Sequence, residues 1–195
     1  MLTIYFSKIH GDFSENNIFP KARQDEISSI KNEVVKQHKI FVWRLLEYAL
    51  SDIGLKLENA KITKLECGKW SSPYIFFSLS HTDGVAAVAV SDTTVGIDIE
   101  TTDSLPKSNS FMKRILTESE LSECGDLSDT DELLSIWTAK EAVFKTLSQD
   151  AFIPSEIELK DYNVHSDFLI IDNKKYVYSV AAADFAEMKI KTLEI

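Results

Sequence analysis

The chain has 195 residues, of which 44% are hydrophobic and 27% are charged, and these proportions are typical of a globular protein that buries a sizeable core. Its formal net charge of −10 argues against a nucleic-acid partner, because proteins of that class generally rely on clustered Lys and Arg.

A cytoplasmic protein with no membrane partner is predicted. The longest apolar run, 85–90, is too short to span a bilayer, and the first residues lack the basic flank and long apolar segment of a secretory signal. Cys67 and Cys124 allow only one disulfide, and we expect both to be reduced. The six glycines form neither G-x-G-x-x-G nor a P-loop, so a glycine-rich phosphate cradle is not expected.

The first half of the chain is predicted to contain a strand over 2–9, a helical segment over 22–52 that ends before Gly54, and four further strands. An apolar stripe at helical spacing predicts that the helical segment is one helix or a helix pair lying across a sheet. The stripe consists of Ile27, Ile30, Val34, Phe41, Leu45 and Ala49. The four strands are expected at 60–66, 74–80, 85–91 and 95–100, the last three as an antiparallel meander.

Three polar residues of the helical segment are candidates for other roles. His38 falls on the apolar stripe, and we expect it to be buried and hydrogen-bonded. Lys39 and Arg44 lie off the stripe, so each is a candidate for contact with an anion, or else a solvated surface residue.

The second half begins after a polar segment, 101–109, that contains Pro106 and predicts a boundary between subdomains 1–103 and 104–195. A short helix over 111–116, a capping box from Thr117 to Glu120 and a long helix over 129–147, stopped by Pro154, are expected next. Strands are predicted at 156–160, 168–172, 175–183 and 187–194, with a hairpin turn at Asp172-Asn173-Lys174. The fold class is therefore α+β, a pseudo-two-fold pair of similar subdomains that each pack an antiparallel sheet against one long helix, with the site at their junction.

Three acidic side chains predict a cation site beside an anion. Alternation along the strand places Asp98 and Glu100 on one face, about 6 to 7 Å apart, and we expect this face at the surface. Trp137, Glu141 and Lys145 share one face of the long helix. Mg²⁺ binds a few carboxylates and leaves other positions to water and substrate phosphate, so the combination points to phosphate chemistry. The alternatives are solvent-facing acids on the strand, a surface Glu141–Lys145 ion pair and a core tryptophan.

Three motifs together resemble the signature of the 4′-phosphopantetheinyl transferases, in particular the long, pseudo-dimeric (surfactin-synthetase-activating) type. They are Ser80-His81, Gly96-Ile97-Asp98-Ile99-Glu100 and Trp137-x-x-Lys140-Glu141-x-x-x-Lys145. The resemblance implies a monomer that transfers the 4′-phosphopantetheine of coenzyme A to a serine of an apo acyl or peptidyl carrier protein, with Mg²⁺ as cofactor. Adenosine 3′,5′-bisphosphate is the other product.

The resemblance also implies roles for individual residues. Asp98, Glu100 and Glu141 match the Mg²⁺ ligands, Lys145 the lysine on the coenzyme A phosphates, and Glu141 or a water acting through it the base. Ser80 and His81 match the 3′-phosphate side, where Lys39 is favoured over Arg44 as the basic partner. Gly68-Lys69 resembles the adenine-side loop, although Trp70 stands where the family usually has proline, and Glu120 matches a glutamate near the pantetheine arm.

Two other functions are compatible with the same residues. One is a non-catalytic module that binds coenzyme A or a carrier protein, with the acids purely structural. The other is a metal-dependent phosphohydrolase that activates water. A carrier protein is expected to dock beside the segment between 101 and 111, with Lys107, Lys113 and Arg114 as a local basic patch.

Overall fold

The structure, a computed structural model, describes residues 1–11, 19–102, 113–123 and 130–194. The predicted boundary between the halves, the starts of the helices expected at 111 and 129, Cys124 and Lys107 lie outside these residues. Within them, none of the helices combines the length and the hydropathy that a bilayer crossing requires.

Four helices and nine strands have bounds within the described residues, besides short 3₁₀ turns. Residues 113–115, within the short helix expected at 111–116, are also helical. The helices are α1 (Lys21–Ser29), α2 (Glu33–Asp52), α3 (Glu118–Glu123) and α4 (Thr130–Thr146). The strands are β1 (Leu2–Lys8), β2 (Thr63–Lys64), β3 (Trp70–Ser71), β4 (Phe76–Thr82), β5 (Val85–Ser91), β6 (Val95–Thr101), β7 (Val164–Ile171), β8 (Lys174–Ala182) and β9 (Met188–Leu193).

Two sheets lie face to face between two long helices. The first sheet has the order β4-β5-β1-β9 and is covered by α2, whereas the second has the order β6-β8-β7 and is covered by α4. Strand β5 shows why the sequence folds this way, because all seven of its residues are buried. Ala86, Val88 and Val90 contact the core under α2, while Val85, Ala87 and Ala89 face the second sheet. A strand covered on both faces is apolar throughout rather than alternating.

Strand β6 does not complete the predicted meander. It pairs antiparallel with β8 in the second sheet, although it follows β5 directly in the sequence. Its Ile97 and Ile99 are buried against the first sheet, so β6 lies over β4 and β5 rather than beside them. Strand β9 crosses in the other direction and pairs in parallel with β1. The α+β class is confirmed, and the described strand pairs are antiparallel except for β1–β9. Both of these large sheets draw strands from the two halves of the chain.

The helical segment over 22–52 is a helix pair. Extended backbone at Ile30 separates α1 from α2, and the Asn32 side chain caps α2 by accepting from the Val35 N–H at 3.2 Å. The prediction for Val34 is wrong, because this residue in the first turn of α2 is 63% exposed. The predicted end near Gly54 is confirmed, since α2 ends at Asp52 and Gly54 has a φ of +82° that favours glycine.

The end of the long helix and two predicted strands, one in each half of the chain, differ in the structure. Pro154 does not stop the long helix, because α4 already ends at Thr146 and Pro154 opens a separate 3₁₀ turn. The strands expected at 60–66 and 156–160 are instead a two-residue strand and two 3₁₀ turns.

The last strands, their hairpin turn and the capping box are confirmed. The three last strands form, and Asp172 and Asn173 make the hairpin turn in the left-handed region, at φ values of 50° and 61°. The capping box also forms, because the Glu120 N–H donates to Thr117 Oγ1 and the Thr117 N–H donates to Glu120 Oε2.

Candidate active site

Helix α4 approaches strand β6 unusually closely, and Gly96 permits it. A Cβ at this position would lie 1.9 Å from the carbonyl oxygen of Ala142 and 3.2 Å from Cβ of Lys145. Real carbon atoms do not approach a backbone oxygen so closely, so only glycine fits here. The contact lays the last turns of α4 across β6, beside Asp98.

Asp98 is the centre of the resulting cluster. Its Oδ1 accepts a hydrogen bond from Ser80 Oγ at 2.7 Å and another from Lys145 Nζ at 2.8 Å. Lys145 Nζ also donates to the Ile97 carbonyl at 2.8 Å. The carboxylate is only 2% exposed, so the expectation of a surface-facing acid is wrong. The reason is that α4 covers this face of β6. Asp98 Oδ2 is buried and accepts no hydrogen bond from an N–H group or a hydroxyl of the described residues.

Glu141 lies against Asp98, one turn of α4 before Lys145. Burial raises the pKa of Glu141 to about 8, and the neighbouring Asp98 and Glu100 charges act in the same direction against Lys145. Glu141 is therefore largely protonated at pH 7 and is placed to share its proton with Asp98. Glu100 is held by Thr82, whose Oγ1 donates to Glu100 Oε2 at 2.9 Å. The structure thus brings together the three acids and the lysine that the sequence singled out.

These acids suit Mg²⁺, although no ready-made cage exists. Among the residues that the structure describes, no group of three or more His, Cys, Asp or Glu side chains is arranged to hold a metal ion. Mg²⁺ does not require one, because it is commonly bound by one or two carboxylates together with water and substrate phosphates. A buried carboxylate oxygen without a donor, facing a second carboxyl group whose charge is disfavoured, is the environment that a hard cation stabilises.

A basic cavity lies on the α2 side of β4. It is lined by Arg23, Lys39, Val42, Trp43, Trp70, Leu79, Ser80 and His81. Burial lowers the pKa of His81 to about 4, helped by the charges of His38, Lys145, Lys39 and Arg23. His81 is consequently neutral at pH 7, and the cations around it carry the charge that an anion would meet.

His38 is half-buried, and its ring lies 5.9 Å from that of His81 rather than in the core under α2. The expectation that His38 is a core residue is therefore wrong.

Arg23 is the residue of this cavity to which sequence reasoning assigned no role. It is 4% exposed, donates to the Lys39 carbonyl at 2.6 Å, and lies over the Trp43 ring. Arg23 and Lys39 both form ion pairs with Glu26, and although burial raises the pKa of Glu26, these contacts hold it at about 2. The signal was available in the sequence, because Arg23 stands four residues before the core residue Ile27 and thus on the inward face of α1.

Arg44 is not among the residues that line the basic cavity. It pairs with Glu47 at 3.0 Å and lies over the ring of Phe19. Of the two candidates for the anion contact, the structure brings only Lys39 close to His81.

Lys69 and Trp70 occupy the space between the basic cavity and α4. Lys69 Nζ donates to the carbonyls of Phe144 and Leu147, and so caps the C-terminal end of α4. Trp70 packs edge-to-face on Trp43, with ring centroids 4.9 Å apart, and lines the basic cavity. Lys69, Trp70 and Lys145 also line a second cavity of about 310 Å³, so the two cavities meet at Trp70.

Glu120 is engaged in structural contacts. Besides its part in the capping box, it accepts a hydrogen bond from Lys140 Nζ. Lys140 has no exposed surface and donates also to the carbonyls of Ile115 and Pro154, at 2.8 and 3.0 Å. This buried lysine of the sequence motif therefore ties α4 to the segments before and after it, a role that the sequence did not reveal.

Comparison with known proteins supports one superfamily. The family model of the 4′-phosphopantetheinyl transferase superfamily matches residues 94–184. The chain is also similar to a protein named 4′-phosphopantetheinyl transferase gsp, from Aneurinibacillus migulanus, with 27% identity over 133 residues. That match covers 66% of this chain and 55% of the relative, so the chain aligns with about half the length of the curated relative.

The matched segment 94–184 includes Gly96, Asp98, Glu141 and Lys145, and therefore the close contact between β6 and α4. Sequence comparison and site geometry thus converge on the same part of the chain, the contact between β6 and α4.

Proposed function

We propose that this protein transfers the 4′-phosphopantetheine group of coenzyme A to a serine hydroxyl of an apo acyl or peptidyl carrier protein, with Mg²⁺ as cofactor. The observation that carries the proposal is the cluster of Asp98, Glu141 and Lys145 at the β6–α4 contact, within the segment that the superfamily model matches. Adenosine 3′,5′-bisphosphate is the second product.

The proposed reaction is phosphoryl transfer, which depends mainly on positioning and on neutralising charge. The serine oxygen attacks the phosphorus that carries the pantetheine arm, the bond to the other phosphate breaks, and Glu141 accepts the serine proton. Glu141 lies beside Asp98 and is assigned as the base, either directly or through a water. Lys145 offers a positive charge to the oxygens on which negative charge accumulates.

Asp98, Glu100 and Glu141 are the residues that would hold Mg²⁺. When bound, this ion supplies Lewis-acid charge stabilisation to the phosphates. The buried Asp98 Oδ2 and the raised pKa of Glu141 support this assignment.

Selection of coenzyme A is assigned to the basic cavity. Arg23 and Lys39 supply the positive charge for the 3′-phosphate, and the neutral His81 supplies a hydrogen bond. Trp70 lines both this cavity and the one that contains Lys145. This position supports its assignment beside the nucleoside, which joins the 3′-phosphate to the 5′-pyrophosphate.

The finer features of the proposal follow the resemblance. They are the long, pseudo-dimeric subtype with subdomains 1–103 and 104–195, a monomeric state and a cytoplasmic location. Carrier docking is proposed beside α3, where Lys113 and Arg114 are exposed and Leu121 is 36% exposed. Toward coenzyme A, Lys69 on the adenine side and Glu120 near the pantetheine arm would act through the segments that they hold in place.

The test is a transfer assay read by mass spectrometry. Purified protein, coenzyme A, Mg²⁺ and a panel of apo-carrier proteins should yield one carrier with the added mass of phosphopantetheine, and EDTA should abolish the product. Asp98→Asn should lower kcat/KM by more than about a hundredfold, because removal of a proposed ligand should exceed the 10–100-fold cost of losing an outer contact. Asp167→Asn, the same change at an exposed acid on β7, is the matched control.

Two outcomes would contradict the proposal. Binding of coenzyme A without transfer to any apo-carrier would favour a non-catalytic binding module. Release of the adenosine bisphosphate without a carrier would favour a phosphohydrolase.

A further inference from the structure

Strands β4 and β6 are edge strands of different sheets, and hydroxyl groups join them. Strand β4 presents a hydroxyl at every second position, namely Ser78, Ser80 and Thr82, all on the face toward β6. Ser78 Oγ accepts from the Ile97 N–H at 3.0 Å, and Ser80 Oγ accepts from the Ile99 N–H at 3.4 Å. Strand β6 pairs with β8 along its other edge, so these hydroxyls satisfy buried N–H groups that would otherwise lack an acceptor.

Accepting a backbone N–H also fixes where the Ser80 proton points. The Ile99 N–H approaches Ser80 Oγ from β6, and the Ser80 hydroxyl in turn donates to Asp98 Oδ1 at 2.7 Å. Lys145 donates to the same oxygen at 2.8 Å. With two donors on Oδ1, the carboxylate is oriented so that Oδ2 is the oxygen left for a ligand.

Thr82, two residues after Ser80, makes the same kind of hydrogen bond to an acid. Its hydroxyl donates to Glu100 Oε2 at 2.9 Å, and Glu100 stands two residues after Asp98 on the same face of β6. The two-residue period of the hydroxyls therefore matches the two-residue period of the carboxylates. Ser78 differs from the other two hydroxyls, because its described bond is to the backbone of β6 and not to an acid.

We propose that Ser80 and Thr82 are positioning residues, whose hydroxyl groups set the orientation in which Asp98 and Glu100 meet a divalent cation. This inference rests on the proposed function, because it takes these acids to be ligands of Mg²⁺. Carboxylate ligands are commonly held by such outer hydrogen bonds, and losing one weakens metal affinity 10–100-fold. Ser80 thus acts through Asp98, in addition to lining the basic cavity.

The experiment measures Mn²⁺ affinity without coenzyme A, by electron paramagnetic resonance of the free ion, in the full chain and four variants. Ser80→Ala and Thr82→Val each remove a hydroxyl from an acid and should weaken Mn²⁺ binding about tenfold or more. Thr82→Ser keeps the hydroxyl and should bind as the wild type does. Ser78→Ala is the matched control, because it removes a bond between the strands but none to an acid.

Thermal unfolding in EDTA separates positioning from stability. Ser78→Ala and Ser80→Ala should both lower Tm, since each leaves a backbone N–H of β6 without its acceptor, whereas only Ser80→Ala should also weaken Mn²⁺ binding. Should Ser80→Ala not fold, the comparison of Thr82→Val with Thr82→Ser decides the question, because the bond that the structure describes for the Thr82 hydroxyl is to Glu100 and not to the backbone.

Three results would overturn the inference. The first is wild-type Mn²⁺ affinity in both Ser80→Ala and Thr82→Val. The second is equal weakening by Ser78→Ala, which would tie affinity to the stability of the joined strands. The third is a wild-type protein that does not bind Mn²⁺. Failure of the proposed function is a separate result. It would be seen as no carrier modification by the wild-type protein, while the Mn²⁺ affinities of the wild type and the variants still follow the expected order.

Discussion

The two sides of strand β4 carry opposite charges. Ser80 points toward β6 and α4, where Asp98, Glu100 and Glu141 gather, whereas His81 points toward α2 and contacts a cavity with Arg23 and Lys39. Adjacent residues of a strand project to opposite faces, so one dipeptide serves both regions. The comparison teaches that a single strand can divide an acidic site from a basic one within a short distance.

The same physical cause acts on both sides with opposite sign. Burial disfavours the charged form of any group, so it raises the pKa of Glu141 to about 8 and lowers that of His81 to about 4. Neighbours of like charge reinforce each shift. Both groups are therefore largely neutral at pH 7, and we infer that each region is built for an ion of the opposite sign.

The largest effect is expected from Gly96→Ala, which disrupts the contact between β6 and α4 on the acidic side and leaves the basic cavity in place. The new Cβ would lie 1.9 Å from the Ala142 carbonyl oxygen, and a backbone atom cannot move aside as a flexible side chain can. We expect a loss of about 3 kcal/mol or more in the free energy of unfolding, measured with urea, and separation of Lys145 from Asp98.

Gly54→Ala is the control for Gly96→Ala, since its φ of +82° is strained for alanine but nothing lies within 4 Å of its Cβ. It should cost only about 1–2 kcal/mol. The pKa of His81, followed by NMR in Gly96→Ala, should stay low. Equal costs at Gly54 and Gly96 would contradict the close-contact argument.

Opposite pH dependences of stability are expected for the two sides in metal-free protein. Glu141 holds a proton between its unfolded pKa of 4.5 and its native value of about 8, so its contribution to stability falls as pH rises through this range. His81 lacks a proton between its native pKa of about 4 and its unfolded value of 6.5, so its contribution falls as pH is lowered through that range.

Substitutions separate these two contributions. Between pH 6.5 and 8 only Glu141 of these two groups changes stability. As pH rises through this range, the free energy of unfolding of the wild type, measured with urea, should fall by roughly 2 kcal/mol, and Glu141→Gln should remove this fall. Below pH 6.5 the contributions of Glu141 and His81 to stability offset each other. The single variant Glu141→Gln should therefore lose stability as pH is lowered, and adding His81→Gln should reduce that loss. Parallel curves for the wild type and Glu141→Gln above pH 6.5 would reject a raised pKa.

The smallest expected effect sharpens the assignment of the basic side. Lys39→Met should raise KM for coenzyme A about tenfold and leave KM for dephospho-coenzyme A nearly unchanged, because it removes one charged contact to the 3′-phosphate. Arg44→Met is the matched control, since Arg44 pairs with Glu47 and does not line the cavity. A larger selective effect for Arg44→Met than for Lys39→Met would reverse the assignment.

The sequence by itself determined which residues meet at the centre of the candidate site and most of the local structure. Periodicity predicted β1, β4, β5, β6 and the long helices, and the motif residues Asp98, Glu141 and Lys145 do meet. Local patterns suffice for these elements because the spacing of apolar residues and the chemistry of turns depend on nearby residues. The hairpin at Asp172 and the capping box at Thr117 are such cases.

Tertiary structure decided what the local pattern does not contain. The transfer of β6 to the second sheet and the burial of Asp98 both depend on which surfaces cover these segments. Gly96 and the hydroxyls of Ser78, Ser80 and Thr82 read as ordinary strand residues until the facing element is known. The physical reason is that burial and close contact are properties of two surfaces, and the sequence of one segment specifies only one of them.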